Sequence, residues 1–416
     1  MSELAPPGNA PAPPANRSPR TEAPGITRRP RPPAKPRPMG GRLALMIGAG
    51  IALMAGLDAA LLLLGVAAPV TSERVAAVHG MLMVLGFIGT VIALERAVAL
   101  GKKWGFAAPA FMGLGAVALI SPLPLTAAGA LLMAGTGIQA VIFIPLWRRR
   151  RDAAVLVQAL GAVGAFGAAM LFTGGAATAS FLGWLIAYVV LLISGERMEL
   201  ARLGRSDDRA EQAVLAVGVL LLATVVLQLL FGGWVSPVLG VVLLVLVAAL
   251  LNVDVAPKML RSTGLPRFSA ACLMAGYVWL AVAGGVLLLA GDPFDGGAYD
   301  ALVHSVMLGF TMSMIFAHAA VILPAVLRRP LPYHPVMYVP AVLLHAALAV
   351  RVVGGDLKGM HVVWQVGGVG NVIAVLAFAL TAAITGVAAS LAARRRRQRA
   401  LRAAAASNPP GVARGE

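Results

Sequence analysis

The sequence contains a single cysteine, Cys272, and few charged residues. One cysteine excludes an intrachain disulfide, a zinc site or iron–sulfur cluster built on cysteine ligands alone, and the CxxCH attachment of c-type haem. Charged residues make up 12% of the chain, about half the share usual for a soluble domain. We also find no P-loop, no HExxH motif and no nucleophile elbow. These absences argue against a soluble enzyme and against hydrolytic or nucleotide-driven chemistry.

Apolar residues dominate instead. Of the 416 residues, 59% are hydrophobic, and the mean hydropathy is +0.85. About 20 apolar residues in a helix span the hydrocarbon core of a bilayer. Twelve stretches approach or reach this length: 43–70, 75–98, 104–122, 126–147, 154–174, 178–195, 212–231, 234–252, 269–290, 299–325, 336–353 and 362–391. The sequence therefore predicts an all-α polytopic membrane bundle of about twelve helices, forming a transmembrane domain over residues 43–393.

Both ends of the chain are strongly basic. Residues 1–42 hold twelve of the 28 prolines and eight Lys or Arg against two Glu, and residues 394–416 hold seven Arg against one Glu. This composition predicts a disordered Pro/Arg-rich arm over 1–42 and a disordered basic tail over 394–416. We interpret the excess charge as a topology signal and as attraction to anionic lipid headgroups, with no nucleic-acid partner.

The positive-inside rule gives a topology with both termini in the cytoplasm of a bacterial-type inner membrane. Twelve spans put sixteen Lys or Arg in the inner loops and only three, Arg74, Arg351 and Lys358, on the outer side. Removing one span would reverse every later loop, so the charge pattern favours an even number of spans.

Four of the six histidines fall near the outer ends of four different spans in this topology: His79, His304, His345 and His361. Imidazole is the commonest metal ligand and the usual axial ligand of haem b. His79 and His304 are predicted axial ligands of a haem b, with Arg351 beside a propionate or extended to the interface. His345 and His361 are second-site ligands, with copper as the second candidate metal, or neighbours of the propionates. The alternative is that each histidine hydrogen-bonds a neighbouring helix or lies in the membrane interface.

Other ionisable residues lie at the opposite ends of the spans. Glu95-Arg96 and Glu196-Arg197 end the second and sixth spans, and His318 lies fourteen residues after His304. The two Glu-Arg pairs either join helices or open a proton entrance, and His318 is either a structural residue or part of a second site or proton path.

Spans two, six and ten share a weak repeat. The second reads VHGMLMVLGFIGT and the tenth VHSVMLGFTMSM; Ser180 precedes Glu196 by sixteen residues, as His79 precedes Glu95. The repeat suggests three four-helix units with a pseudo-threefold arrangement.

A twelve-span chain with histidine on spans two and ten resembles the catalytic subunit of the haem-copper oxidases. It is more similar in size and pattern to the NnrS family, membrane haem-copper proteins linked to nitric oxide stress and denitrification. The motif-level resemblance covers residues 78–90 and 303–332, including His304, Gly309 and Met312. It implies axial haem ligands on spans two and ten and a pseudo-threefold ring. Spans six and seven lack the copper-binding histidines of the oxidases, so oxygen reduction, nitric oxide reduction and proton pumping are not implied.

The functional prediction is thus a haem b-binding membrane protein, with copper as an additional candidate, in nitric oxide or respiratory redox physiology. Enzymatic turnover stays open, because two axial histidines leave no iron position for substrate, and no redox partner is indicated. The main alternative is a cofactor-free transporter of a small solute. A third is a structural subunit of a respiratory complex.

Overall fold

The computed structural model describes residues 40–202, 208–291, 295–327 and 331–407, and this part of the chain contains helices and no strand. Twelve of its helices are long and apolar enough to span a membrane, which confirms the predicted all-α polytopic bundle. We number them α1 to α12: Gly41–Leu63, His79–Leu100, Lys103–Ile120, Leu125–Arg150, Ala153–Thr173, Thr178–Ala201, Asp208–Phe231, Gly233–Val253, Gly264–Ala290, Gly296–Pro324, Pro335–Asp356 and His361–Ala400. The chain is a multi-pass membrane protein.

The two ends of the chain differ in how far the structure describes them. Most of the predicted arm, residues 1–39, and the last part of the tail, residues 408–416, lie outside the described residues. At the C-terminus the helix of α12 continues without a break to Ser407. The predicted disorder is therefore replaced by helix over residues 394–407, a segment rich in alanine and arginine, which both favour helix.

Three helices form the centre of the bundle. Over an 18-residue stretch of each span, the buried share is 78% in α2, 78% in α6 and 67% in α10, against 22–56% in the other nine spans. In the central part, α10 packs against both α2 and α6. Each central helix is the second member of a run of four: α1–α4, α5–α8 and α9–α12.

The other nine helices form a closed ring around this centre. Neighbours in the ring are, in order, α1, α3, α4, α5, α7, α8, α9, α11 and α12, and α12 packs back against α1. Each run of four thus places one helix inside and three outside. This is the arrangement of three four-helix units that the repeat predicted.

Small residues let some ring helices approach closely. A Cβ added to Gly240 of α8 would lie 2.6 Å from the carbonyl oxygen of Gly284 in α9. Only glycine fits such an approach of two backbones, as is common between membrane helices.

Three spans contain π-helical segments. Leu82–Gly89 lies in α2, Ser305–Met312 in α10 and Val350–Asp356 in α11. The first two segments follow His79 and His304 almost directly, so the repeat extends to backbone geometry. Wide turns of this kind inside helices are frequent at functional sites.

The two ends of the bundle carry different side chains. We name the end with His79 and His304 the histidine end, and the end with Arg96 and Arg197 the arginine end.

Candidate functional site

His79 lies at the start of α2 and is held by the neighbouring helix α1. Its Nδ1 atom is 2.8 Å from the carbonyl oxygen of Gly56. A carbonyl only accepts, so Nδ1 carries the hydrogen and donates it. In the neutral ring this leaves the lone pair on Nε2, the atom that would bind a metal.

His304 has the same arrangement with a different partner. Its Nδ1 atom is 2.9 Å from the carbonyl oxygen of Asp300, one turn earlier in α10, and 3.2 Å from the Oδ1 atom of that residue. Both partners are acceptors, so Nδ1 again carries the hydrogen. Within the described residues, no hydrogen bond involves the Nε2 atom of either His79 or His304.

The structure brings three of the predicted site residues together. His79 is close enough to His304, Arg351 and Asp300 to interact electrostatically with each of them. The site therefore joins α2, α10 and α11 at the histidine end.

Arg351 is anchored inside this site and does not extend to the membrane surface. It is only 6% exposed. Its Nε and Nη2 atoms donate to the two carboxylate oxygens of Asp300, each at 2.7 Å. Trp364 of α12 donates from Nε1 to Asp300 at 3.1 Å, and its ring lies 5.3 Å from the Arg351 guanidinium.

Asp300 and Asp356 are site residues that the sequence interpretation missed. The Asp356 carboxyl lies beside that of Asp300, and its Oδ2 atom is buried without a hydrogen-bond partner in the described structure. Asp300 precedes His304 by four residues, a spacing that places both on one helix face. That spacing was the available signal. Nothing in the sequence indicated that the end of α11 brings Asp356 to Asp300.

His345 lies away from the pair formed by His79 and His304. Trp279 of α9 donates to Nδ1 of His345 at 3.1 Å, so Nε2 carries the hydrogen and faces Ser313 Oγ at 3.4 Å. Ser313 follows His304 by nine residues, which places His345 about two turns deeper. The four histidines therefore do not share the depth predicted for them.

His361 is exposed at the rim of the site. Its ring centroid lies 5.6 Å from that of Trp364, which in turn contacts Asp300 and Arg351. It is therefore a neighbour of the site residues through that tryptophan.

The donor set can be compared with the two predicted cofactors. Among the described residues, no group of three or more His, Cys, Asp or Glu is arranged to hold a metal ion. Copper bound through three such ligands therefore has no support. A haem with two axial ligands needs only two imidazoles, and His79 and His304 each offer an oriented ring with a free Nε2 atom.

A second polar cluster joins the central helices at the arginine end. The Nη2 atom of Arg96 lies 2.5 Å from Glu95, and the Nη1 atom lies 3.2 Å from Glu199 in α6. Arg197 of α6 donates from Nη1 to the Nε2 atom of His318 in α10, at 2.7 Å. Arginine thus links α2 to α6 and α6 to α10, and the metal-binding nitrogen of His318 is occupied.

Arg197 also pairs with Asp254, which follows α8. The two hydrogen bonds to the carboxylate measure 2.7 and 2.8 Å, and Tyr277 donates a third. Burial alone would raise the pKa of Asp254, but these hydrogen bonds and the guanidinium charge outweigh it and hold the pKa below its ordinary value.

Comparison with known proteins gives a family but no activity. A search of curated proteins found no match to the chain. The model of one family, described as a domain of unknown function (DUF8744), matches residues 42–387. This match covers most of the chain, from the start of α1 into α12. The chain belongs to the DUF8744 family.

Proposed function

We propose that this protein binds haem b at the histidine end, with His79 and His304 as the two axial ligands. The observation that carries the proposal is that the two imidazole rings have the same hydrogen-bonding arrangement. Each donates Nδ1–H to an acceptor of the protein and keeps Nε2 unbonded, and the two rings lie within electrostatic range on adjacent central helices.

The surrounding residues fit supporting roles. The Gly56 carbonyl and Asp300 fix the orientation of the two rings and increase the basicity of Nε2. Arg351 is buried beside them with its charge balanced by Asp300, and it would neighbour a propionate of the bound haem. Bound haem b would supply a one-electron redox centre. Two axial histidines favour electron transfer over binding of substrate at the iron.

The resemblance to the NnrS family supports a role in nitric oxide or respiratory redox physiology. We propose a location in a bacterial cytoplasmic membrane, with the arginine end and both termini in the cytoplasm. The basic loops and tails would then face anionic lipid headgroups.

The test is an optical spectrum of the purified full chain, oxidised and then reduced with dithionite, after expression with ample haem. Sharp α and Soret bands are expected, and His79→Ala and His304→Ala should each abolish them. His345→Ala is the matched control, because the same change two turns deeper should leave both bands in place. A featureless spectrum of well-folded wild-type protein, or bands that persist in both ligand variants, would contradict the proposal.

A second candidate is a cofactor-free transporter of a small solute. The observation that favours it is the pair of carboxyls, Asp300 and Asp356, beside Arg351, where α11 ends in its π-helical segment. Buried ionisable groups of this kind line solute and ion paths in membrane proteins. The transporter would be selected if the protein shows no haem spectrum and takes up a small solute in proteoliposomes. Asp356→Asn should then abolish that uptake.

A further inference from the structure

Three carboxyl groups surround the buried guanidinium of Arg96 at the arginine end. Glu95 lies at 2.5 Å, Glu199 at 3.2 Å and Glu196 at 3.5 Å from its nitrogens. Glu199 has additional donors, because Arg150 contacts it at 2.5 Å and Gln158 at 3.3 Å. Glu95 and Glu196 are thus left to share one cation.

Glu196 has the weakest ion pair with Arg96 of the three acids. Its separation from Arg96 is the longest, and its side chain is only 12% exposed. Its Oε1 atom is buried without a hydrogen-bond partner among the described residues. An ionised carboxylate would lose hydration at this oxygen and gain only the ion pair with Arg96 at 3.5 Å in return, which is costly. Protonation removes that cost.

The carboxyls of Glu95 and Glu196 lie within hydrogen-bond contact of each other. Two carboxylates in contact repel and do not both stay ionised. A proton on Glu196 turns the repulsion into a hydrogen bond to Glu95, whose charge Arg96 then balances.

We infer that Glu95 and Glu196 form an acid pair that holds one proton at neutral pH and exchanges it with water at the arginine end. Glu95 provides the route to water, because its side chain is 19% exposed. This proton-binding site goes beyond the proposed haem function and does not depend on it.

The other charged side chains near Glu95 and Glu196 pair with other residues. Arg197 faces Asp254 and His318, and α5 contributes only the uncharged Gln158. Farther out, Arg202 pairs with both Asp152 and Glu211. Within the described structure, Arg96 is therefore the cation that faces the acid pair directly.

Polar groups continue from this pair into the bundle. Tyr188 lies eight residues, about two turns, before Glu196 in α6 and is within electrostatic range of it. Its hydroxyl and the amide of Gln139 in α4 are 3.4 to 3.5 Å apart. A proton on Glu196 thus has a polar neighbour on the interior side as well as an exit through Glu95.

Infrared spectroscopy of the full chain in lipid nanodiscs tests the inference directly. A protonated carboxylic acid absorbs at a frequency separate from ionised carboxylate and shifts in D₂O. The wild-type minus Glu196→Gln difference spectrum at neutral pH should contain one acid band, which wild type has and the variant lacks. Alkaline titration should remove the same band from wild type. Asp254→Asn is the matched control, because it deletes an ionised carboxylate at the same end and should leave the band.

Glu95→Gln provides a second variant that keeps Glu196 itself. With its acidic neighbour gone, Glu196 should ionise at lower pH, so the titration of the band should move in that direction. An absent acid band in the difference spectrum, or an unchanged titration in Glu95→Gln, would overturn the inference. The Glu95→Gln result decides the matter alone if Glu196→Gln does not fold.

Discussion

Arg351 of α11 donates two hydrogen bonds of 2.7 Å to the carboxylate of Asp300, one turn before His304 in α10. This pair ties the ring of helices to the centre beside the candidate haem ligands. Arg351 is 6% exposed, so each charge depends on the other for stabilisation.

Replacing only the arginine should therefore be costly. Arg351→Met should lower the free energy of unfolding by about 3 kcal/mol, since it leaves the partly buried Asp300 without its cation. Adding Asp300→Asn to that variant should recover part of the loss. Denaturation in mixed micelles measures both, and a double variant less stable than the single one would contradict this account of the pair.

The Asp254–Arg197 pair should make stability depend on acidic pH. The pKa of Asp254 is lowered in the folded protein, so its contribution is present above the unfolded-state value, about 4. It is lost as the pH falls through the lower folded-state pKa. Thermal unfolding of wild type and Asp254→Asn should differ clearly at neutral pH and converge on acidification. A difference that stays constant across this range would show that the carboxylate charge is not responsible.

Gly309 should be intolerant of any side chain. A Cβ there would overlap the Cβ and Cγ atoms of Trp279, whose indole also donates to His345. Gly309→Ala should cost about 2 kcal/mol through overpacking. The same change at Gly285, where a Cβ meets nothing within 4 Å, should be neutral or slightly stabilising. Equal effects of the two substitutions on thermal unfolding would refute the packing explanation.

The proposed orientation in the membrane can be tested by cysteine labelling. Cys272 is buried, and Cys272→Ser gives a background without thiols. In that background, an impermeant maleimide should label Leu357→Cys, at the histidine end and 78% exposed, in intact cells. Lys102→Cys at the arginine end should react only after the membrane is opened. The reverse pattern would invert the topology.

The sequence predicted the fold well because each span is a long apolar run, but it located the helix ends less well. Helix α1 ends at Leu63, where the predicted stretch continues to residue 70, and Gly65 follows with φ of +70°. At the other end of the chain, α12 continues through the arginines. Hydropathy detects where lipid surrounds a helix, whereas capping residues and helix propensity decide where the helix ends.

The residues of the candidate site were easiest to select where a local repeat marked them. The shared Val-His pattern identified His79 and His304. His345 lies near the middle of α11, and its hydrogen bond there is with Trp279 of α9, a contact between helices that a pattern within α11 does not contain. The contact between Asp300 and Asp356 depends on the packing of α10 against α11, which a pattern within either helix does not contain.

The closed ring of nine helices also determines how the chain should tolerate change. Lipid accepts almost any apolar side chain, whereas α2, α6 and α10 face protein on nearly every side. In a scan of substitutions along the chain, tolerance should therefore vary with a period of four helices. In each group of four, one helix should be sensitive to substitution and three should be tolerant. The nine outer helices should thus accept apolar exchanges that the three inner helices do not.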